Sequence, residues 1–149
     1  MRILIDGEHC PSGIKNLCHR LGELHHIEVL LLNPIDSLDD VDDGVLKRTV
    51  LEPGTINKKL LEMAGLHDLV VTSHIPLAKK IVDKVTAVLH PDGYIMNLAG
   101  IDYLLYERHL EIEDRKQGIA KGLKKRKEKD NQTFENLLLN YISGINLKL

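Results

Sequence analysis

Two short segments hold the residues best suited to chemistry. The first is Asp6-Gly7-Glu8-His9-Cys10, and the second is Thr72-Ser73-His74. Each follows an apolar run, Arg2 to Asp6 (RILID) and Leu69 to Thr72. Such runs fit buried strands of a parallel sheet. Open α/β sheets bind ligands beyond the carboxyl ends of their strands, near the point where strand order reverses. If the two runs are neighbouring strands, Asp6, Glu8, Thr72, Ser73 and His74 converge on one rim. Oxygen donors with one imidazole suit Mn²⁺, Zn²⁺ or Fe²⁺ better than Mg²⁺. A metal held there would lower the pKa of a bound water and stabilise charge on a phosphodiester. A structural role competes with this one. An Asp that ends a strand can cap the next helix, and His74 can precede a helix opened by Pro76 and bond to a nearby carbonyl.

The elements that must position these residues alternate along the chain. After the first strand, Pro11 suits the first turn of a helix. Ile14, Leu17, Cys18 and Leu21 then recur at helical spacing. A second strand covers 27–32 and stops at Asn33-Pro34. The aspartate cluster 36–43 reads as a solvated loop whose spacing does not match an EF-hand. A third strand covers 47–51. Thr55 can cap a helix through Ile56, Leu60, Leu61 and Ala64. Leu69 to Thr72 is the fourth strand, and a helix from Pro76 carries Leu77, Ile81 and Val82 inward. The fifth strand covers 85–89, and His90-Pro91-Asp92-Gly93 is a turn. The spacing predicts a helix from Ile95 to Leu110 and an amphipathic helix from Thr133 to Ile142. This alternation predicts an α/β domain with a mainly parallel sheet covered on both faces.

The totals agree with one domain spanning 1–149. The chain has 149 residues, 43% hydrophobic and 28% charged, ordinary for a globular protein with a single core. It has four Tyr, one Phe and no Trp, so the core must be aliphatic and platforms for stacked nucleobases are few. No apolar run approaches the ~18 residues of a membrane span, and M-R-I-L-I-D is not a signal peptide. Cys10 and Cys18, read as lying on one helix, would be ~12 Å apart, too far for a disulfide. Reduced thiols in the cytoplasm are the simplest expectation.

The net charge of −2 conceals an asymmetry. Residues 1–114 carry 11 Lys/Arg and 19 Asp/Glu, a balance of −8; residues 115–149 carry 9 and 3, a balance of +6. Lys121, Lys124, Lys125, Arg126 and Lys127 fall in the basic segment 115–129. Such a segment can neutralise nucleic-acid phosphates without reading sequence. It can equally be a solvated stretch that balances an acidic body.

The segment I-D-G-E-H-C-P-S-G-I-K resembles the opening of the YaiI/YqxD family of uncharacterised bacterial proteins, which reads D-A-D-A-C-P before a helix with a Lys. D-L-V-V-T-S-H-I-P-L-A is similar to that family's D-x-V-I-T-x-D-I-P-L-A. H-P-D-G-Y resembles its N-P-R-G turn, and K-D-N-Q-T-F its closing D-R-x-x-F. The likeness runs through nearly the whole chain. It implies a PIN-like three-layer α/β/α sandwich, related to ribonucleases that use Mg²⁺ or Mn²⁺ held by a cluster of acids. Its residues carry over unevenly. Asp6 and Cys10-Pro11 stand where the family has them. Glu8 replaces the second Asp of D-x-D, His74 the Asp before I-P-L-A, and Asn57 the acid of an A-D-x-x-I element.

Two expectations follow. In the first, Asp6 and Glu8 hold a single Mn²⁺ or Mg²⁺, with His74 as third ligand or general acid/base. Thr72, Ser73 and Asn57 then position the substrate, and the chain is a metal-dependent ribonuclease with an altered acidic site. In the second, the chain keeps the fold without the chemistry and binds RNA or a protein through the basic segment.

Overall fold

The computed structural model describes residues 1–34, 47–52, 54–116 and 128–146. The aspartate cluster 36–43 and most of the basic segment 115–129 lie outside the described residues.

The apolar runs form strands, and their alternate residues face opposite layers of helix. The strands are β1 (Arg2–Asp6), β2 (Glu28–Pro34), β3 (Lys47–Leu51), β4 (Asp68–Val71), β5 (Ala87–His90) and β6 (Tyr94–Met96). They make one six-stranded sheet in the order β3-β2-β1-β4-β5-β6. The first five run parallel, and β6 pairs antiparallel with β5. Ile3 and Ile5, Val29 and Leu31, Leu69 and Val71, and Ala87 and Leu89 face one layer. That layer is α1 (Ser12–His25) and α5 (Glu128–Asn146), which contribute Ile14, Leu17, Cys18, Phe134 and Leu138. Leu4, Leu32, Val70 and Val88 face the other. There α2 (Ile56–Met63), α3 (Ile75–Ile81) and α4 (Leu98–Lys116) contribute Ile56, Leu60, Leu77, Ile81 and Ile101. A parallel sheet buried on both faces explains why its strands read as unbroken apolar runs. The three-layer α/β/α architecture expected from the sequence is therefore present.

Several details differ from the sequence reading; among them, Cys10 precedes α1 and does not share a helix with Cys18. Residues 94–96 are a strand, and the following helix begins at Leu98 instead of Ile95. The turn before β6 needs Gly93, which has φ +98°, a conformation that favours glycine. A Cβ on Gly93 would also lie 2.5 Å from Thr133 Cγ2 and 2.8 Å from Phe134 N, so this turn is where α5 presses on the sheet. The closing helix starts at Glu128, five residues before the expected Thr133. Thr55 precedes α2 but makes no side-chain cap. Its hydroxyl donates to the Glu52 carbonyl at 2.7 Å.

Strand order reverses between β1 and β4. β1 leads outward to β2 and β3 on one side, while β4 leads to β5 and β6 on the other. The crevice at the carboxyl ends of β1 and β4 is the position where such sheets bind ligands.

Candidate functional site

The rim is built by two turns. Asp6 ends β1, and Gly7 to Pro11 lead into α1. Thr72, Ser73 and His74 follow β4 and lead into α3, with Pro76 in the first turn of that helix. β1 and β4 pair directly through Ile5 and Val71, so the two turns lie side by side.

Asp6 is the centre of this junction, with an exposure of 0%. Its Oδ2 accepts a hydrogen bond from Thr72 Oγ1 at 2.8 Å and pairs with His9 Nδ1 at 2.9 Å. Its Oδ1 accepts from the Glu8 backbone N–H at 3.2 Å. Thr72 Oγ1 in turn accepts from the His74 backbone N–H at 3.0 Å. The His9 carbonyl takes two donors from Ser73, the backbone N–H at 2.9 Å and Oγ at 3.0 Å. The rings of His9 and His74 stack, with centroids 4.4 Å apart and planes 20° from parallel. Every contact in this set joins one turn to the other or braces a turn internally.

His9 is the residue that sequence reasoning passed over. The hydrogen bond to the Asp6 carboxylate raises its pKa above the ordinary 6.5, burial opposes the rise in part, and the charges of Asp6 and Glu8 add to it. An ionised carboxylate at Nδ1 favours the proton on that nitrogen and supports an imidazolium. The side chain is 33% exposed. Among the described residues no hydrogen bond reaches its Nε2. The available signal was the Asp6-x-x-His9 spacing across a strand end.

The other expected residues are placed unevenly. Glu8 is exposed, and its Oε1 accepts from the Gly54 backbone N–H at 3.1 Å. Ser73 and His74 are half-buried at the rim. Asn57 is half-buried in the first turn of α2, and no hydrogen bond joins it to the Asp6 cluster among the described residues. Lys121, Lys124, Lys125, Arg126 and Lys127 lie outside the described residues.

The donor chemistry bears on the expected metal. Both Asp6 oxygens already face hydrogen-bond donors, and one donor is an imidazole whose protonated form balances the carboxylate's charge. The Glu8 carboxylate reaches to the β3–α2 connection. Among the described residues, no group of three or more His, Cys, Asp or Glu is placed to hold a metal ion. A centre for two cations needs clustered, uncompensated carboxylates, and this arrangement of Asp6, Glu8 and His74 does not fit one.

Beneath the rim lies Lys15 of α1, also 0% exposed. Its Nζ donates to the Gly7 carbonyl at 2.9 Å and to Asn33 Oδ1 of β2 at 3.0 Å. Cys10 and Cys18 are both buried. Burial pushes the Cys18 thiol well above its ordinary pKa, so it is inert chemistry inside the core.

Fold and site together define an α/β/α protein with a hydrogen-bonded polar centre at the switch point of a mainly parallel sheet. The profile of the family described as "Uncharacterized BCR, YaiI/YqxD family" matches residues 4–144, and the chain belongs to that family. A UPF0178 protein of Lachnoclostridium phytofermentans is 30% identical over 151 aligned positions, which cover 97% of this chain and 99% of the relative. A UPF0178 protein of Staphylococcus aureus strain JH9 is 33% identical over 153 positions, covering 96% and 95%. No solved structure matches the chain. Among the described residues, no helix is long and apolar enough to cross a membrane.

Proposed function

We propose that the chain acts on RNA in the cytoplasm, at the rim between β1 and β4, with His9 as its acid–base group and Asp6 as the residue that orients it. The observation that carries this reading is the 2.9 Å contact between Asp6 Oδ2 and His9 Nδ1 on a partly exposed ring. An imidazole held through Nδ1 offers Nε2 to a ligand. There it can take a proton from an attacking hydroxyl and return it to the leaving oxygen, while the buried carboxylate stabilises the imidazolium. His74 stacks beside it, and Glu8 stands at the exposed edge. Thr72 and Ser73 keep the two turns in register.

RNA is favoured by the likeness to PIN-like ribonucleases and by the charge of the basic segment. Lys121, Lys124, Lys125, Arg126 and Lys127 would neutralise phosphates along a bound strand. A single divalent metal on Asp6, Glu8 and His74 is the competing expectation, and calorimetry with Mn²⁺ reads it directly.

The test is a binding and cleavage assay on single-stranded RNA, run with wild type and Asp6→Asn, in chelator and in Mn²⁺ or Mg²⁺. Turnover that Asp6→Asn abolishes supports an enzyme at this rim. Salt-sensitive binding without turnover supports the non-catalytic module. Neither binding nor turnover at any salt concentration overturns the choice of RNA.

A further inference from the structure

Lys15 is among the largest fully buried side chains of the described residues. Lysine is almost never fully buried unless its charge is paired. A Met or Leu of similar volume would fill the same space without desolvating an ammonium. Packing alone therefore does not account for a lysine here. Its position on the helix explains where it reaches. Side chains on a helix lean toward the N-terminus, and α1 starts at the rim. A long side chain one turn into α1 thus runs back under the Gly7–Pro11 turn.

What it holds there is the Gly7 peptide. Gly7 N–H donates to the Leu32 carbonyl at 2.8 Å, and the Gly7 carbonyl accepts from Lys15. A Cβ on Gly7 would lie 2.2 Å from Asn33 Oδ1 and 2.3 Å from the Leu32 carbonyl oxygen, so the turn is pressed onto the end of β2 and only glycine allows that approach. Asn33 closes the arrangement by accepting from the same ammonium. The next two residues are Glu8, whose N–H meets Asp6 Oδ1, and His9, whose Nδ1 meets Asp6 Oδ2.

We infer that Lys15 is a positioning residue of the rim, whose buried ammonium fixes the Gly7 peptide against Asn33 and so sets where His9 meets Asp6. The inference rests on the proposed function only for what the rim does; the positioning itself is a property of the free protein. A lysine with a purely structural role would support the fold and leave the His9 ring indifferent to its replacement.

The experiment is ¹⁵N histidine NMR on the full chain, wild type against Lys15→Met, with thermal unfolding in parallel. The expected result is a folded Lys15→Met protein with a lowered melting temperature, because the buried Gly7 carbonyl and Asn33 Oδ1 lose their donor. Its His9 ring nitrogens shift from the fixed Nδ1–H pattern toward the averaged pattern of a free imidazole, while the remote His67 and His109 signals stay put. A folded Lys15→Met protein with wild-type His9 nitrogens overturns the inference. If Lys15→Met does not fold, Asn33→Ala decides: the same His9 shift in smaller measure supports the inference, and unchanged His9 signals overturn it. These signals need no RNA, so a negative RNA assay would remove the proposed function without touching this result.

Discussion

β1 and β4 carry an acid paired with a base at each of their two ends, and the two pairs are built differently. At the amino end, Arg2 grips Asp68 through two bonds, Nε to Oδ1 at 3.0 Å and Nη2 to Oδ2 at 2.8 Å. The Arg2 fork also reaches the Met63 carbonyl, and Asp68 accepts from Gly65 N–H. At the carboxyl end, Asp6 meets His9 and Thr72. A guanidinium is always charged and binds a carboxylate as a planar fork. An imidazole changes charge near neutral pH and keeps a second nitrogen for other work. The first pair fastens two strands; the second can move a proton. The molecule thus separates a fixed clamp from a titratable one, and it puts the titratable one where parallel sheets bind ligands.

That contrast can be broken from either side. The largest stability effect is expected from Asp6→Ala. It leaves the buried Thr72 hydroxyl and Glu8 N–H without their acceptor, a loss of about 3 kcal/mol by denaturant unfolding. Arg2→Met should cost about 2 kcal/mol, discounted because Arg2 is partly solvated and Asp68 keeps its bond from Gly65. It should leave the His9 NMR signals as in wild type; a shift there would mean that the two ends are not separate. Thr72→Val keeps the shape and removes one donor and one acceptor, for about 1 kcal/mol. A cost as large as that of Asp6→Ala would show that Thr72, and not the carboxylate, organises the rim.

The smallest effect is the pH dependence, and its sign differs between the pairs. His9 has a raised pKa in the folded state. Its contribution is whole below the ordinary value of 6.5 and is lost as pH climbs through the raised one. The Asp68 carboxyl is held below its ordinary 3.8 against the pull of burial, by the Arg2 guanidinium and the Gly65 N–H. Its contribution is whole above 3.8 and is lost as pH falls through the lowered value. Unfolding free energies measured across pH should therefore show an alkaline loss that Asp6→Asn removes and an acid loss that Arg2→Met reduces.

Much of this was legible in the sequence, for physical reasons. Strands buried on both faces must read as apolar runs, so β1, β2, β4 and β5 announced themselves, and their ends marked Asp6 and Thr72. β6 did not, because three residues carry no period and Ile95 and Met96 merged into the helix that follows. His9 went unread because the likeness to D-x-D drew attention to Glu8, while the partner of Asp6 lay one residue further on. Lys15 was legible in principle. It falls three residues before Cys18 and seven before Gly22, on the buried stripe of α1. A charge inside such a stripe signals a buried partner. Its acceptors Gly7 and Asn33 come from different elements, and only the fold brings them together.

The central claim is that His9, oriented by Asp6, does the work of the rim. The most direct test is the rate of single-stranded RNA cleavage by His9→Ala against wild type in the presence of chelator. The account predicts measurable wild-type cleavage and a loss of ~10²–10⁴-fold in the variant, the usual contribution of a general acid–base group. Cleavage that needs Mn²⁺ or Mg²⁺ and is indifferent to His9→Ala would contradict it.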